Sequence, residues 1–191
     1  EALKNEPIKV YAGQKALCEI VDSSNIDTVL VALVGFSGLM PTISAIKAHK
    51  QIALANKETL VVGGEIIKKL SLENKTPIIP VDSEHSAIFQ CIVGEGNNKI
   101  DKILLTSSGG PFRNYTKEEL ADVTVSQALQ HPKWKMGAKI TVDSATMMNK
   151  GFEVIEAHWL FDVAVEKIQV LVHPQSIMHS AVQFVDGAIK A

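Results

Sequence analysis

Thr28-Val29-Leu30-Val31-Ala32-Leu33-Val34 is apolar at every position after the first, and Gly35-Phe36-Ser37-Gly38 closes it. A strand that is half exposed alternates apolar and polar residues, whereas a strand covered on both faces, as in a parallel sheet, reads as a continuous apolar run. Working outward, residues 39–48 have a helical pattern, Gln51-Ile52-Ala53-Leu54-Ala55 reads as a second strand, residues 57–70 as a helix, and Pro77-Ile78-Ile79-Pro80-Val81 as a third strand. Upstream, Ile8-Lys9-Val10-Tyr11 reads as a short strand and residues 13–21 as a helix. This βαβαβα order predicts an α/β fold with a doubly wound sheet. Functional groups in such a sheet collect at the carboxyl ends of its strands. Here those ends lead into Gly35-Phe36-Ser37-Gly38 and Asn56-Lys57-Glu58.

The glycine-rich G-x-G-x-x-G turn that opens a dinucleotide-binding sheet is not found among the twelve glycines. If residues 1–81 are a dinucleotide domain, that turn is expected upstream of Glu1. From residue 82 the pattern changes, and residues 82–191 form a second domain. It holds a helix near 84–93, a strand over Lys102-Ile103-Leu104-Leu105-Thr106, a partly helical polar stretch over 113–138, a strand over Lys139-Ile140-Thr141-Val142-Asp143 and a helix near 145–161. Strands over 169–172 and 180–185 follow, and Asp186-Gly187 turns the chain into a returning strand, Ala188-Ile189-Lys190-Ala191. A chain that stops inside a hairpin reads as a fragment.

With 46% hydrophobic and 21% charged residues, the 191-residue chain has an ordinary globular balance and can bury a core. A formal net charge of −2 gives no electrostatic case for nucleic acid or an anionic membrane. Cys18 and Cys91 have no metal-type spacing and read as free buried thiols in a reducing compartment. No apolar run reaches the roughly 18 residues that span a bilayer.

Val81-Asp82-Ser83-Glu84-His85 carries the sharpest chemical signal. If the strand continues through it, Asp82 and Glu84 face the same way. Two carboxylates at one point repel unless a cation lies between them, and Mg²⁺ or Mn²⁺ takes such oxygen ligands. The alternative is a strand end followed by a helix cap, with Glu84 in the first turn. Asn149, Lys150 and Glu153 share one helix face by their spacing. Glu153 is then a third metal ligand, with Lys150 and Asn149 holding an anionic substrate, or the face is merely solvated. Ser107-Ser108-Gly109-Gly110 follows a strand and suits a phosphate, or is a plain flexible loop. Ser144 is either a helix cap or another phosphate donor. His131-Pro132-Lys133-Trp134-Lys135-Met136-Gly137 has an aromatic tip and reads as a water-excluding lid, or as a loop that Trp134 anchors to the core. Lys57 is a donor near cofactor and substrate, or a solvated helix start. His173 and His179 match no zinc spacing, and no nucleophile elbow appears.

Leu54-Ala55-Asn56-Lys57-Glu58, Val81-Asp82-Ser83-Glu84-His85, Ser107-Ser108-Gly109-Gly110-Pro111-Phe112, His131-Pro132-Lys133-Trp134, Val142-Asp143-Ser144-Ala145-Thr146-Met147-Met148-Asn149-Lys150-Gly151 and His173-Pro174-Gln175-Ser176, in this order, resemble the 1-deoxy-D-xylulose 5-phosphate reductoisomerase family. The resemblance runs from about Val29 to Ala191. It implies the C-terminal part of a doubly wound, NADP-binding Rossmann-type sheet followed by an α+β catalytic domain. It implies an enzyme of non-mevalonate isoprenoid biosynthesis that isomerises 1-deoxy-D-xylulose 5-phosphate and reduces the product with NADPH to 2-C-methyl-D-erythritol 4-phosphate. Asp82, Glu84 and Glu153 would hold Mg²⁺, Mn²⁺ or Co²⁺; Lys57, Lys150 and Glu153 would be catalytic; and Ser83, Ser108, His131, Ser144, Asn149 and Lys150 would bind substrate. Gly35, Ser37, Asn56, Lys57, Glu58, Met136 and Gly137 would border NADPH, with Trp134 and Met136 in the lid. A homodimer in a bacterial cytoplasm or plastid stroma is also implied, with no nucleic-acid or membrane partner. Ser107 departs from the Gly that the family often carries there. The family's upstream cofactor turn and downstream helical domain are not in this chain, so the chain alone is expected to turn over negligibly. Two other readings remain open: another two-domain NAD(P) dehydrogenase of the semialdehyde or homoserine type, and a non-catalytic sugar-phosphate-binding or dimerisation module.

Overall fold

The computed structural model describes residues 4–131 and 135–191. The chain divides after Pro80 into two compact units.

In the first unit, α1 (Gln14–Ile20) precedes β1 (Thr28–Val31), α2 (Leu39–Lys47), β2 (Gln51–Leu54), α3 (Glu58–Asn74) and β3 (Ile78–Pro80). The strands form a parallel sheet in the order β1-β2-β3, with Val31 opposite Leu54 and Leu54 opposite Pro80. The three carboxyl ends are therefore level. Parallel neighbours need helical crossovers, and α2 and α3 supply them. Their buried residues, Ala45 and Ile46 on α2 and Leu60 and Ile67 on α3, join Ile52 and Leu54 of the central strand in the core. At roughly 1.5–3 kcal/mol per buried Leu or Ile side chain, these positions hold the sheet to its helices.

The second unit starts with α4 (Ser83–Ile92) and β4 (Ile100–Ser107), followed by the short helix α5 (Val125–Ala128), α6 (Ala138–Ala145), α7 (Met148–Phe161), β5 (Ile168–Val172), β6 (Ala181–Phe184) and β7 (Ile189–Lys190). Its mixed sheet runs β5-β4-β6-β7, parallel between β4 and β5 and antiparallel elsewhere. Ile88 and Cys91 of α4, Ile103 and Leu105 of β4, Ala157 of α7, and Val182 and Phe184 of β6 build one core. It fixes α4 and α7 against the same sheet, and so fixes the residues those helices carry.

Several sequence expectations are corrected. Ile8-Lys9-Val10-Tyr11 is not a strand; Ile8, Val10 and Tyr11 are exposed, and β1 pairs only with β2 among the described residues. β1 ends at Val31, and Leu30 is 62% exposed, so the apolar run is covered on one face only. Lys139-Ile140-Thr141-Val142-Asp143 lies inside helix α6. Its β-branched residues favour strand locally, but Thr141 and Ala145, four apart, are the buried positions, which is a helical period. Thr141 donates from both its backbone N–H and its hydroxyl to the Gly137 carbonyl. The helix expected from about residue 145 starts at Met148, because Met147 takes a left-handed conformation (φ 61°) between α6 and α7. Cys91 is buried, whereas Cys18 is only half-buried; both are free thiols. No helix of the described residues is long and apolar enough to cross a membrane.

Candidate active site

Strand β3 stops at Pro80 and helix α4 starts at Ser83, with Asp82 as the residue before its first turn (φ −52°, ψ 133°). The alternation argument for Asp82 and Glu84 therefore does not apply, since Glu84 is in the first turn of a helix. The carboxylates converge all the same. One oxygen each from Asp82, Glu84 and Glu153 lie within 4.8 Å of one another. Glu153 comes from α7, and the shared core against β4 and β6 brings it beside the start of α4.

The group is organised by hydrogen bonds. Asn149 Nδ2 donates to Glu153 Oε1 at 2.6 Å. Lys150 Nζ bonds Glu153 Oε2 and reaches Glu84 Oε1 at 3.4 Å. Ser83 Oγ donates to Glu84 Oε2 at 2.6 Å. Thus Ser83, Asn149 and Lys150 each orient a carboxylate. Lys150 and Glu153 are almost fully buried, at 5% and 2% exposure. A buried carboxylate without a counter-charge is strongly destabilising, and Lys150 supplies that charge. Three carboxylates so close together make an oxygen-rich, acidic donor set, which suits a divalent cation with a preference for oxygen. The Glu84 carboxyl is raised above its ordinary range by burial first and by the Glu153 charge second, against the opposing pull of Lys150 and Ser83.

A second trio, Asp82, His85 and Glu156, also has donor atoms within 4.8 Å of one another. His85 and Glu156 are completely buried. His85 Nε2 donates to the Glu153 backbone carbonyl at 2.9 Å, and Nδ1 lies 3.4 Å from Glu156 Oε2. With Nε2 committed to a carbonyl, the imidazole acts as a bridge between α4 and α7. The three carboxylates are the better cation set. Sequence reading assigned no role to Glu156, although its position one turn after Glu153 places it on the same helix face.

The loop after β4 meets the α6–α7 junction. A Cβ on Gly110 would lie 2.5 Å from the Ser144 carbonyl oxygen and 2.8 Å from Ala145 Cα, so only glycine allows this backbone approach. Gly109 takes φ +73°, and its N–H bonds Ser107 Oγ at 3.2 Å. Ser107 Oγ also donates to Met147 Sδ at 3.8 Å. Ser108 and Ser144 thereby belong to one neighbourhood at the start of α7, which carries Asn149 and Lys150. Arg113, which the sequence reading passed over, donates to the Ser108 carbonyl at 3.5 Å. The His131 imidazole is held below its ordinary range by partial burial first and by the Arg113 charge second. Met136 is half-buried and Gly137 precedes α6. Trp134 and the lid tip lie outside the described residues.

In the first unit, Gly35, Ser37, Asn56, Lys57 and Glu58 gather at the level carboxyl ends of β1 and β2. Gly35 takes φ +64°, and Ser37 Oγ donates to the Val34 carbonyl at 2.5 Å. Lys57 is 8% exposed at the start of α3. Asn56 is 3% exposed and bonds the Leu33 and Gly35 carbonyls and Glu58 Oε2.

These features define an α/β protein with a level-ended parallel sheet in one unit and a cluster of three carboxylates in a mixed-sheet second unit. Residues 1–64 match the family model for 1-deoxy-D-xylulose 5-phosphate reductoisomerase, and residues 78–161 match the model for that enzyme's C-terminal domain. The 1-deoxy-D-xylulose 5-phosphate reductoisomerase of Bacteroides fragilis is 65% identical over all 191 residues, which span 49% of that relative. A solved structure of the Zymomonas mobilis enzyme in complex with NADPH is 45% identical, with a TM-score of 0.89 over 99% of this chain and 48% of that one. A DOX-P reductoisomerase structure in complex with NADPH, fosmidomycin and magnesium is 44% identical, with a TM-score of 0.87 over 93% of this chain and 46% of that one. The chain belongs to the 1-deoxy-D-xylulose 5-phosphate reductoisomerase family and spans about half the length of the curated relatives it matches.

Two predictions follow from the charges. A raised Glu84 pKa means that the folded protein holds a proton the unfolded chain has released, so ionised Glu84 costs stability above pH 4.5, its ordinary value. Without metal at pH 7, Glu84→Gln should therefore melt about 1–3 °C higher than wild type; a lower midpoint would contradict the assignment. A lowered His131 pKa has the opposite consequence. The unfolded chain takes up a proton first, so this contribution to stability is present above pH 6.5 and is lost as pH falls below it. Arg113→Gln should move the His131 titration, followed by NMR, part of the way back up, and an unmoved titration would show that Arg113 is not a cause.

Proposed function

We propose that this chain carries the metal centre and part of the cofactor site of an enzyme that isomerises 1-deoxy-D-xylulose 5-phosphate and reduces the product with NADPH to 2-C-methyl-D-erythritol 4-phosphate. The observation that carries the reading is the convergence of Asp82, Glu84 and Glu153 beside Lys150 and Asn149. The names of the matched relatives, and of the solved complexes with NADPH and magnesium, support it.

Asp82, Glu84 and Glu153 would hold the divalent cation. A cation bound there supplies Lewis-acid stabilisation of the negative charge that develops on oxygen during carbon-skeleton rearrangement. Ser83, whose hydroxyl donates to Glu84, would hydrogen-bond a substrate hydroxyl beside the cation. Lys150, whose ammonium lies against Glu84 and Glu153, would act on a substrate oxygen beside the bound cation. Asn149 keeps Glu153 oriented and presents its amide at the start of α7. The substrate phosphate would lie between the Ser107-Ser108-Gly109-Gly110 loop, Ser144 and the first turn of α7, where backbone N–H groups and the helix dipole favour an anion. His131, kept neutral by burial and Arg113, would add a neutral hydrogen bond there. Gly35, Ser37, Asn56, Lys57 and Glu58 would border NADPH at the sheet ends. A homodimer and a cytoplasmic location complete the reading, on the strength of the family and its bacterial relatives.

The test is product formation by the intact protein that carries this chain. With 1-deoxy-D-xylulose 5-phosphate, NADPH and Mn²⁺ it should oxidise NADPH and form 2-C-methyl-D-erythritol 4-phosphate, identified by NMR. Glu153→Gln should lower kcat by at least about a hundredfold. Turnover undiminished by chelators would favour a metal-independent dehydrogenase. Tight substrate binding without NADPH oxidation would favour a non-catalytic module.

A further inference from the structure

Asn56 lies among the residues that would border NADPH, yet its side chain is fully engaged inside the protein. A carboxamide has two N–H donors and an oxygen with two lone pairs. Asn56 Nδ2 faces three acceptors, the Leu33 carbonyl at 2.5 Å, the Gly35 carbonyl at 2.8 Å and Glu58 Oε2 at 3.1 Å. Its Oδ1 takes the Thr59 backbone N–H at 3.0 Å and the Thr59 hydroxyl. The opposite amide orientation would set N–H groups against the Thr59 N–H and an oxygen against two carbonyls, so the network fixes which end is which. Asn56 is 3% exposed and Thr59 is fully buried.

The surroundings are shaped to this amide. Gly38 closes the turn, and a Cβ there would lie 2.7 Å from Asn56 Oδ1, 3.0 Å from Thr59 Oγ1 and 3.0 Å from Val31 Cγ1. Thr42 Oγ1 holds the Gly38 carbonyl at 2.7 Å. The Asn56 backbone N–H bonds the Val31 carbonyl at 3.0 Å, so the residue is tied to the end of β1 by its main chain as well. The two glycines of Gly35-Phe36-Ser37-Gly38 thus have different causes. Gly35 needs a left-handed backbone, while Gly38 must leave room for the carboxamide.

We propose that Asn56, locked by Thr59, is a positioning residue: its carboxamide clamps the turn over residues 33–38 to the first turn of α3 and sets the cofactor-facing backbone without itself bonding NADPH. The functional half of this statement rests on the reductoisomerase reading. Loosening the clamp loosens the wall of the cofactor site.

The experiment compares Asn56→Asp, Thr59→Val and Thr59→Ser in the intact protein, with circular dichroism to confirm folding. Asp keeps the size of Asn but cannot donate to two carbonyls, and Val keeps the shape of Thr without its hydroxyl. In Asn56→Asp and Thr59→Val, amide hydrogen exchange over residues 33–38 should accelerate about tenfold, the scale set by one lost buried hydrogen-bond partner. KM for NADPH should rise by a similar factor, a larger change than any in kcat at saturating NADPH. Thr59→Ser should restore both. Wild-type exchange in both disrupting variants would overturn the clamp. So would a raised KM in Asn56→Asp alone with wild-type exchange, since that pattern assigns a direct cofactor contact. Exchange needs no NADPH, so a protein that oxidises none would refute the reductoisomerase reading while its exchange rates still decide the clamp.

Discussion

Three carboxylates held within 4.8 Å of one another are the constraint around which the second unit is built. Like charges at this separation repel strongly, and burial weakens the screening that water would give. The Lys150 ammonium, the Asn149 amide and the Ser83 hydroxyl, among the described residues, bond these carboxylates and offset the repulsion. Burial first, and the Glu153 charge second, raise the Glu84 carboxyl above its ordinary range. A perturbed carboxyl in such a cluster is a common signature of a functional site. Holding the carboxylates together requires a firm common base for α4 and α7. The core of Ile88, Ile103, Leu105, Ala157, Val182 and Phe184 provides it.

Behind the carboxylates, the fully buried His85–Glu156 pair adds a polar cross-link between the same two helices. Because His85 grips the Glu153 main chain rather than its carboxylate, the side chain of Glu153 remains available to the centre. In the first unit the analogous device is Asn56, which ties two loops at level strand ends. Both units therefore use a buried polar side chain to set backbone positions. Such groups are specific because each hydrogen bond left unmade in the interior is costly.

Much of the first unit was legible in the sequence because its strands are short apolar runs and its helices have clear periodicity. β2 and α2 fall close to their expected bounds. Ile8-Lys9-Val10-Tyr11 failed as a strand because strand pattern without a hydrogen-bonding neighbour specifies nothing. Ile140-Thr141-Val142 failed because β-branched propensity is weak beside the burial of Thr141 and Ala145 on one helical face. At the site, a cap and a helical turn, not strand alternation, bring Asp82 and Glu84 together. The proximity of Glu153 to them depends on tertiary packing across the intervening chain. Local spacing could not supply it, and the resemblance did. The closeness of Gly110 to Ser144, the reach of Arg113 and the saturation of Asn56 are three-dimensional facts with no local pattern.

The central claim is that Asp82, Glu84 and Glu153 form one divalent-cation site. Calorimetric titration of Mn²⁺ into the intact protein and its Glu153→Gln variant tests it most directly. One site per chain in the wild type, weakened by at least about tenfold in the variant as expected when one of three charged ligands is lost, is the predicted result. Equal Mn²⁺ affinity in the two folded proteins would contradict the account, because the convergence of the three carboxylates would then serve no cation.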